Sequence, residues 1–157
     1  MESNSRRMQA VSLMRSSFAY IFVIQEMRPV ASEALDRFAD ARYLNLETYR
    51  KTGAAIATPV WFAQDGARLY AYSLADAGKV KRIRNSATAR IAPCDVRGKL
   101  RGDWMAARAV IVTGEEAALG MRMLDDKYGW QKKIGKLTSW FLNRRHAVIS
   151  IELAAQA

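Results

Sequence analysis

The chain has 157 residues, half of them hydrophobic and a quarter charged, which is the composition of one globular domain rather than of a disordered segment. The single cysteine, Cys94, excludes an intrachain disulfide, and with one histidine, His146, it leaves too few ligands for a Cys/His metal site. Because 25 Lys and Arg residues face 15 Asp and Glu residues, the net charge is +10, and the expected partner is anionic: nucleic acid, a membrane surface or a phosphate-bearing ligand.

The N-terminal segment allows three interpretations. An apolar run at residues 17–24 follows two arginines, as in a signal peptide, but Arg15 interrupts the apolar part, and the run is far shorter than the roughly 20 residues of a membrane span. A helix that packs on the domain, or a true start at Met27, would also fit. We expect an extension over residues 1–30, helical or flexible, followed by one domain over residues 31–157. A cytoplasmic location is expected from the cysteine content.

The first half of this domain predicts a short helix and then a meander of three strands. Ser32 is a candidate N-cap for the helix. Pro59 cannot donate a ladder hydrogen bond, so it predicts an edge, a bulge or a break in the pairing of the second strand. The predicted strands are residues 43–50, 54–63 and 68–74, with glycine-containing turns at 51–53 and 64–66.

The second half alternates helices and strands. The pair Thr113 and Glu116 resembles a capping box at the start of a helix, which Gly129 is expected to end. Six strands with short turns favour a mainly β, antiparallel barrel over a parallel α/β sheet. The predicted elements are a helix at 78–85, a strand at 87–94, a basic loop at 95–102, a strand at 103–113, the capped helix, a helix at 131–143 and a strand at 146–153.

No familiar catalytic set is present, so no residue is assigned as catalytic, and a cofactor would have to supply difficult chemistry. The most informative stretch is a strand at 58–62, followed by a strand that carries Ser73 and by a basic helix start. The Ser73 hydroxyl and the free N–H groups of that helix can hold a phosphate, with Lys79 and Arg82 adding charge from one face. A solvated basic helix beside an ordinary strand is the other interpretation.

Five short segments carry a further signal in their order and spacing. They are residues 48–53 (TYRKTG), 57–62 (ATPVWF), 78–85 (GKVKRIRN), 92–98 (APCDVRG) and 127–129 (KYG). Together they resemble the pyridoxamine 5′-phosphate oxidase-like flavin-binding split barrels, and among these the branch of F420-dependent or flavin/deazaflavin oxidoreductases. The resemblance extends over residues 35–153. Tyr49 and the turn at 51–53 depart from the family pattern, at peripheral positions.

The resemblance implies an FMN-binding-like split β-barrel that forms a homodimer, with two cofactor sites at the subunit interface. The cofactor would be F420 or FMN, the activity hydride transfer to or from a small organic substrate. A non-catalytic flavin, deazaflavin or haem binding protein is the alternative. The loop at 98–102 would approach the cofactor tail from the partner. By the same resemblance, Thr58, Pro59, Val60 and Trp61 would line the ring, and Ser73, Lys79 and Arg82 would hold the phosphate.

Several residues keep two interpretations. Tyr72 is a barrel aromatic or a proton donor near the ring, Cys94 a buried small hydrophobe or a redox centre, and His146 a strand-edge residue or a haem ligand. A nucleic-acid interface would interleave aromatic and arginine side chains on one sheet face, and the sequence has no such pattern. A membrane-surface interaction rests on Trp130 and Trp140, in or beside a basic helix, which otherwise belong to the core or to a dimer contact.

Overall fold

The computed structural model describes residues 34–132 and 145–154. The N-terminal extension, the Ser32 cap, Trp140 and most of the helix predicted at 131–143 lie outside these residues. The side chain of Trp130 is not described either.

Six antiparallel strands form one closed barrel in the order β1-β2-β3-β6-β5-β4, in which β4 pairs back onto β1. This confirms the mainly β, six-stranded fold, and each strand bound lies within two residues of its prediction. The strands are β1 (Tyr43–Tyr49), β2 (Ala55–Asp65), β3 (Arg68–Leu74), β4 (Thr88–Cys94), β5 (Met105–Val112) and β6 (His146–Leu153); the helices are α1 (Gly78–Asn85) and α2 (Gly114–Lys132), preceded by a 3-10 turn at Asp36–Phe38.

The main core fills the barrel. Alternate residues of a strand point to opposite faces, so each strand contributes every second side chain to the interior. Helix α1 closes one end of the barrel by burying Val80 and Ile83. The inward-facing core residues include Leu44 and Leu46 of β1, Val60 and Phe62 of β2, Leu69 and Ala71 of β3, Ile91 of β4, Ala109 of β5, and Ile149 and Ile151 of β6.

Helix α2 packs on the outer surface, where Leu124 and Tyr128 form a second buried cluster with Ala63 of β2. The prediction that Gly129 ends this helix is wrong, because α2 continues to Lys132. A glycine inside a helix costs only about 1 kcal/mol, and the burial of Leu124 and Tyr128 just before it is larger. The Glu116 carboxylate accepts hydrogen bonds from Arg68 Nη1 (3.1 Å) and the Tyr70 hydroxyl (3.4 Å), so it ties α2 to β3.

Within the described part of the chain, no helix combines the length and the apolar character that crossing a bilayer requires.

Candidate functional site

Strands β2 and β3 separate at one end of the barrel. Their pairing stops at Phe62 and Ala71, although β2 extends back to Ala55 and β3 runs on to Leu74. Along residues 55–61, β2 pairs with β1 alone. The break in pairing that Pro59 predicts is therefore present, and it forms an opening between β2 and the end of β3.

The backbone of β2 presents polar groups to this opening. The Tyr128 hydroxyl accepts a bond from the Phe62 N–H (3.4 Å) and lies 2.8 Å from the Phe62 carbonyl and 2.7 Å from that of Arg42, the residue before β1. The peptide groups of Phe62 thus point toward β1. In an antiparallel strand these directions alternate, so the carbonyl of Pro59 points toward the opening.

Three hydroxyl side chains share the inward face at the end closed by α1. Each of them lies two positions from a core residue of its own strand and so points to the same face. Thr48 follows Leu46 of β1, Thr58 precedes Val60 of β2, and Ser73 follows Ala71 of β3. Thr48 and Ser73 are buried, whereas Thr58 is half-buried. An otherwise apolar barrel interior therefore becomes polar at one end, next to the opening.

Two cations of α1 reach these hydroxyls. Lys79 Nζ donates to Ser73 Oγ (3.2 Å) and Arg82 Nε donates to Thr48 Oγ1 (2.8 Å). Burial lowers the pKa of Lys79, and the neighbouring Arg82 lowers it further. Burial also lowers the pKa of Arg82, with a further contribution from Arg50. Among the ion pairs of residues 34–132 and 145–154, none joins these three cations to a carboxylate, so the cluster favours an anion.

The first turn of α1 lies within the same cluster. Its N-cap, Ala77, supplies no side-chain acceptor to the first helical N–H groups. A Cβ added to Gly78 would lie 3.0 Å from Arg82 Nη1, which places the guanidinium across the first turn. Free N–H groups and the helix dipole both favour negative charge. The structure brings Ser73, Lys79 and Arg82 together beside this turn, and their binding of a phosphate stays a prediction.

The four residues expected to line a ring do not share one face. Val60 is buried in the barrel core. Pro59 and Trp61 point outward, and the Trp61 ring stacks on Tyr128 with centroids 5.1 Å apart and an interplanar angle of 11°. Thr58 points inward. What the four have in common is the unpaired backbone edge of β2, so ring contacts at this edge would involve main-chain atoms as well as side chains.

The basic loop between β4 and β5 docks on its own barrel. Asp95 Oδ1 accepts bonds from the N–H groups of Arg97 (2.9 Å) and Lys99 (3.0 Å), and these bonds, led by that of Lys99, lower the pKa of Asp95. Asn45 Nδ2 donates to the Gly98 carbonyl (2.7 Å), and a Cβ on Gly98 would lie 3.7 Å from Pro59 Cδ. The loop is therefore held beside the opening, and its approach to a partner's cofactor stays a prediction.

Two side chains with open interpretations now have defined surroundings. Cys94 is buried, and burial raises the pKa of its thiol to about 11, which favours the interpretation as a small hydrophobe over that as a reactive thiolate. The Tyr72 ring lies edge-on between Trp61 (6.3 Å) and His146 (6.0 Å) on the outer face, and burial raises its pKa. This placement favours the barrel-aromatic interpretation of Tyr72.

Sequence reasoning assigned no contact to Thr48, Asn45 or Tyr128, although Thr48 and Tyr128 lie in segments that carry the resemblance. Thr48 carried a usable signal, because it follows Leu44 and Leu46 at the strand period and is the first polar residue on that face. The roles of Asn45 and Tyr128 depend on contacts with residues 53 and 66 or more positions away. No local pattern could have indicated these distant partners.

Comparison with models of known families and with curated proteins finds no match. Solved structures do match. A Listeria innocua protein assigned as a pyridoxamine 5′-phosphate oxidase is 14% identical, with a TM-score of 0.54 over 81% of this chain and 99% of its own. An FAD-binding protein from Mesorhizobium loti is 15% identical, with a TM-score of 0.56 over 79% and 87%.

The names of other matching structures refer to different ligands. The haem storage protein HutZ from Vibrio cholerae is 11% identical, with a TM-score of 0.57 over 79% of this chain and 89% of its own. An F420 reductase is 18% identical, with a TM-score of 0.50 over 77% and 93%. At these identities the likeness concerns the fold: the chain has the split-barrel fold of pyridoxamine 5′-phosphate oxidase-like proteins, as the sequence resemblance implied.

Proposed function

We propose that this protein is an oxidoreductase that binds F420 or FMN at the β2–β3 opening and transfers hydride between the cofactor and a small organic substrate. The observation that carries the proposal is the convergence of Lys79 and Arg82 with Ser73 and the first turn of α1. These groups suit a phosphate, and they lie next to an unpaired strand edge that can border a flat ring.

The phosphate group of the cofactor would contribute most of the binding free energy. Hydrogen bonds to charged groups contribute about 1.5–3 kcal/mol each, and Lys79 is already desolvated by the protein, so less hydration is lost when an anion arrives. The Ser73 hydroxyl fixes the position of the Lys79 ammonium before binding. Such preorganisation lowers the entropic cost of binding.

The β2 edge would orient the ring. Trp61 cannot turn freely, because one face of its indole is stacked on Tyr128. The Pro59 carbonyl then offers a fixed acceptor at the opening, and Pro59 adds no N–H that would need a partner. This half of the site orients the ring and keeps water away from its outward side.

A bound flavin or deazaflavin supplies the hydride chemistry. The residues of the chain hold the phosphate, orient the ring and shield it, and the proposal requires no side chain to act as an acid or a base. The likeness to an FAD-binding protein and to an F420 reductase supports this type of cofactor. The two sites are proposed to lie at the interface of a homodimer, and the protein is proposed to act in the cytoplasm.

The net charge of +10 suits a polyanionic cofactor such as F420. F420 carries a phosphodiester and a polyglutamate tail, whereas FMN carries one phosphate. Arg97 and Lys99 project from a loop that is held beside Pro59, so they could meet a long anionic tail. The alternative function, binding of haem or a flavin without turnover, is favoured by the likeness to HutZ.

The experiment is a titration of the purified protein with FMN and with F420, separately, followed by intrinsic Trp fluorescence. We expect micromolar binding of at least one cofactor and a loss of at least about tenfold in affinity in Lys79→Ala, since removal of one charge-assisted hydrogen bond costs about 1.5–3 kcal/mol.

Lys81→Ala is the matched control. Lys81 is an exposed lysine on the same helix, and it carries the same charge. A nonspecific field effect would weaken binding equally in both variants, and that result would contradict a built phosphate site. Binding that is unchanged in Lys79→Ala would remove Lys79 from the site.

A further inference from the structure

We propose that Thr48 is a positioning residue for the phosphate site: its buried hydroxyl holds Arg82 by Nε, so that the two Nη groups stay directed at the phosphate. This inference rests on the proposed function and goes beyond it, because the family resemblance includes Thr48 only as part of segment 48–53 and gives it no role.

The geometry assigns different roles to different nitrogens of one guanidinium. Arg82 Nε donates to Thr48 Oγ1 at 2.8 Å, and Nη1 lies across Gly78 in the first turn of α1. A guanidinium has five N–H donors in a rigid, planar fork. The hydrogen bond from Nε to Thr48 orients the plane of the guanidinium. The Nη donors are then available to a ligand.

An anchor is needed because the local charges repel Arg82. Arg50 lowers the pKa of Arg82, and Arg82 lowers that of Lys79, so the three cations destabilise one another. Without an anchor, this repulsion would favour rotation of the Arg82 side chain toward solvent. Thr48 is fully buried on β1, inside the barrel wall, and it provides a fixed acceptor that solvent does not reach.

Gly78 completes the arrangement. A side chain there would place a Cβ 3.0 Å from Arg82 Nη1, which is closer than ordinary van der Waals contact. The guanidinium therefore occupies the space that a larger residue would fill at the start of α1. The held position of Arg82 requires both the hydroxyl on β1 and the missing side chain on α1.

The test compares FMN with riboflavin, which has the same ring and no phosphate. In Thr48→Val, which keeps the shape and removes the hydroxyl, we expect FMN to bind up to about tenfold more weakly, because Arg82 is no longer held and has to be ordered when the phosphate binds. Riboflavin binding is expected to stay unchanged. Thr48→Ser restores the acceptor and is expected to recover FMN binding to within about threefold of wild type.

A double-mutant cycle with Arg82→Ala separates positioning from general structural damage. If Thr48 acts through Arg82, adding Thr48→Val to Arg82→Ala produces no further loss of FMN binding. Equal weakening of FMN and riboflavin, or full additivity in the cycle, would overturn the inference while leaving the proposed function intact. If the wild type does not prefer FMN to riboflavin, the phosphate site itself fails, and the inference fails with it.

Gly78→Ala provides a second route if Thr48→Val folds poorly. It leaves β1 untouched and crowds only the Arg82 guanidinium. We expect it to weaken FMN severalfold and to spare riboflavin. Unchanged FMN binding in this variant would count against a guanidinium held across the first turn.

Discussion

Lys127 is a half-buried cation in an aromatic environment. Its ammonium donates to the Ala41 carbonyl at 3.1 Å and lies 3.8 Å from the centroid of the Phe62 ring. Burial lowers its pKa to about 8. The charged form is therefore less favoured in the folded protein than in the unfolded chain, which makes the free energy of unfolding depend on pH.

The sign of this dependence follows from proton counts. Between pH 8 and 10, the unfolded chain keeps the Lys127 proton and the folded protein has released much of it, so stability rises with pH. Above pH 10, Tyr128 opposes this trend, because burial raises its pKa to about 12 and the folded phenol keeps a proton that the unfolded one loses. We predict that Lys127→Met flattens the rise between pH 8 and 10.

The measurement is urea denaturation of the wild type and of Lys127→Met at several pH values from 7 to 10. The wild type is expected to gain stability relative to the variant as the pH rises from 8 to 10, because the methionine does not titrate. Parallel curves for the two proteins would show that Lys127 does not titrate in this range.

At the level of single residues, the sequence predicted which side chains lie together at the candidate site, but it did not predict the partners to which they are hydrogen-bonded. Ser73, Lys79 and Arg82 were expected to act together, and the structure brings them together through two hydrogen bonds to strand hydroxyls. The partner of Arg82, Thr48, was not predicted, because it is 34 positions away and becomes a neighbour only when α1 closes the barrel. Whether these residues hold a phosphate stays a prediction.

Among the elements, α2 approaches the barrel closely at Gly120. A Cβ added to Gly120 would lie 2.9 Å from Tyr70 Cδ1 and 3.0 Å from Val148 Cγ1, so the helix backbone lies directly on β3 and β6. Around Gly129, in the same helix, an added Cβ would meet nothing within 4 Å. The two glycines form a matched pair of test positions.

We predict opposite effects for the two alanine substitutions. Gly120→Ala is expected to lower the free energy of unfolding by about 1–3 kcal/mol, because overpacking outweighs the gain in helix propensity. Gly129→Ala is expected to raise it by up to about 1 kcal/mol, since only the propensity changes. Chemical denaturation of both variants measures the difference, and a stabilising Gly120→Ala would contradict the close packing of α2.

This contrast also explains why the end of α2 was predicted wrongly. Glycine occurs both at the ends of helices and, at a small cost in stability, inside them. The sequence alone does not distinguish these two cases. At the hairpin turns the same residue type was informative, because Gly53 and Gly66 have positive φ angles of 85° and 56°. Turn chemistry is local, whereas the length of α2 is set by the packing of Leu124 and Tyr128 on the sheet.

For the whole molecule, the six-stranded barrel could be predicted because strand alternation, turn residues and the family-like segments agree with one another. The opening between β2 and β3 could be predicted only in part: Pro59 indicated a break in pairing, and the register shows that the break faces the end of β3. The choice between F420, FMN and haem could not be made, because proteins with this fold are described with different ligands.

The most direct test of the central claim is the absorbance spectrum of the purified protein, recorded as isolated and again after incubation with FMN, F420 or haem followed by gel filtration. The account predicts that a flavin or deazaflavin band stays with the protein, at about one cofactor per chain. A retained Soret band without a flavin or deazaflavin band would favour the haem-binding alternative. If no chromophore stays with the protein and none binds in titration, the cofactor site proposed here is contradicted.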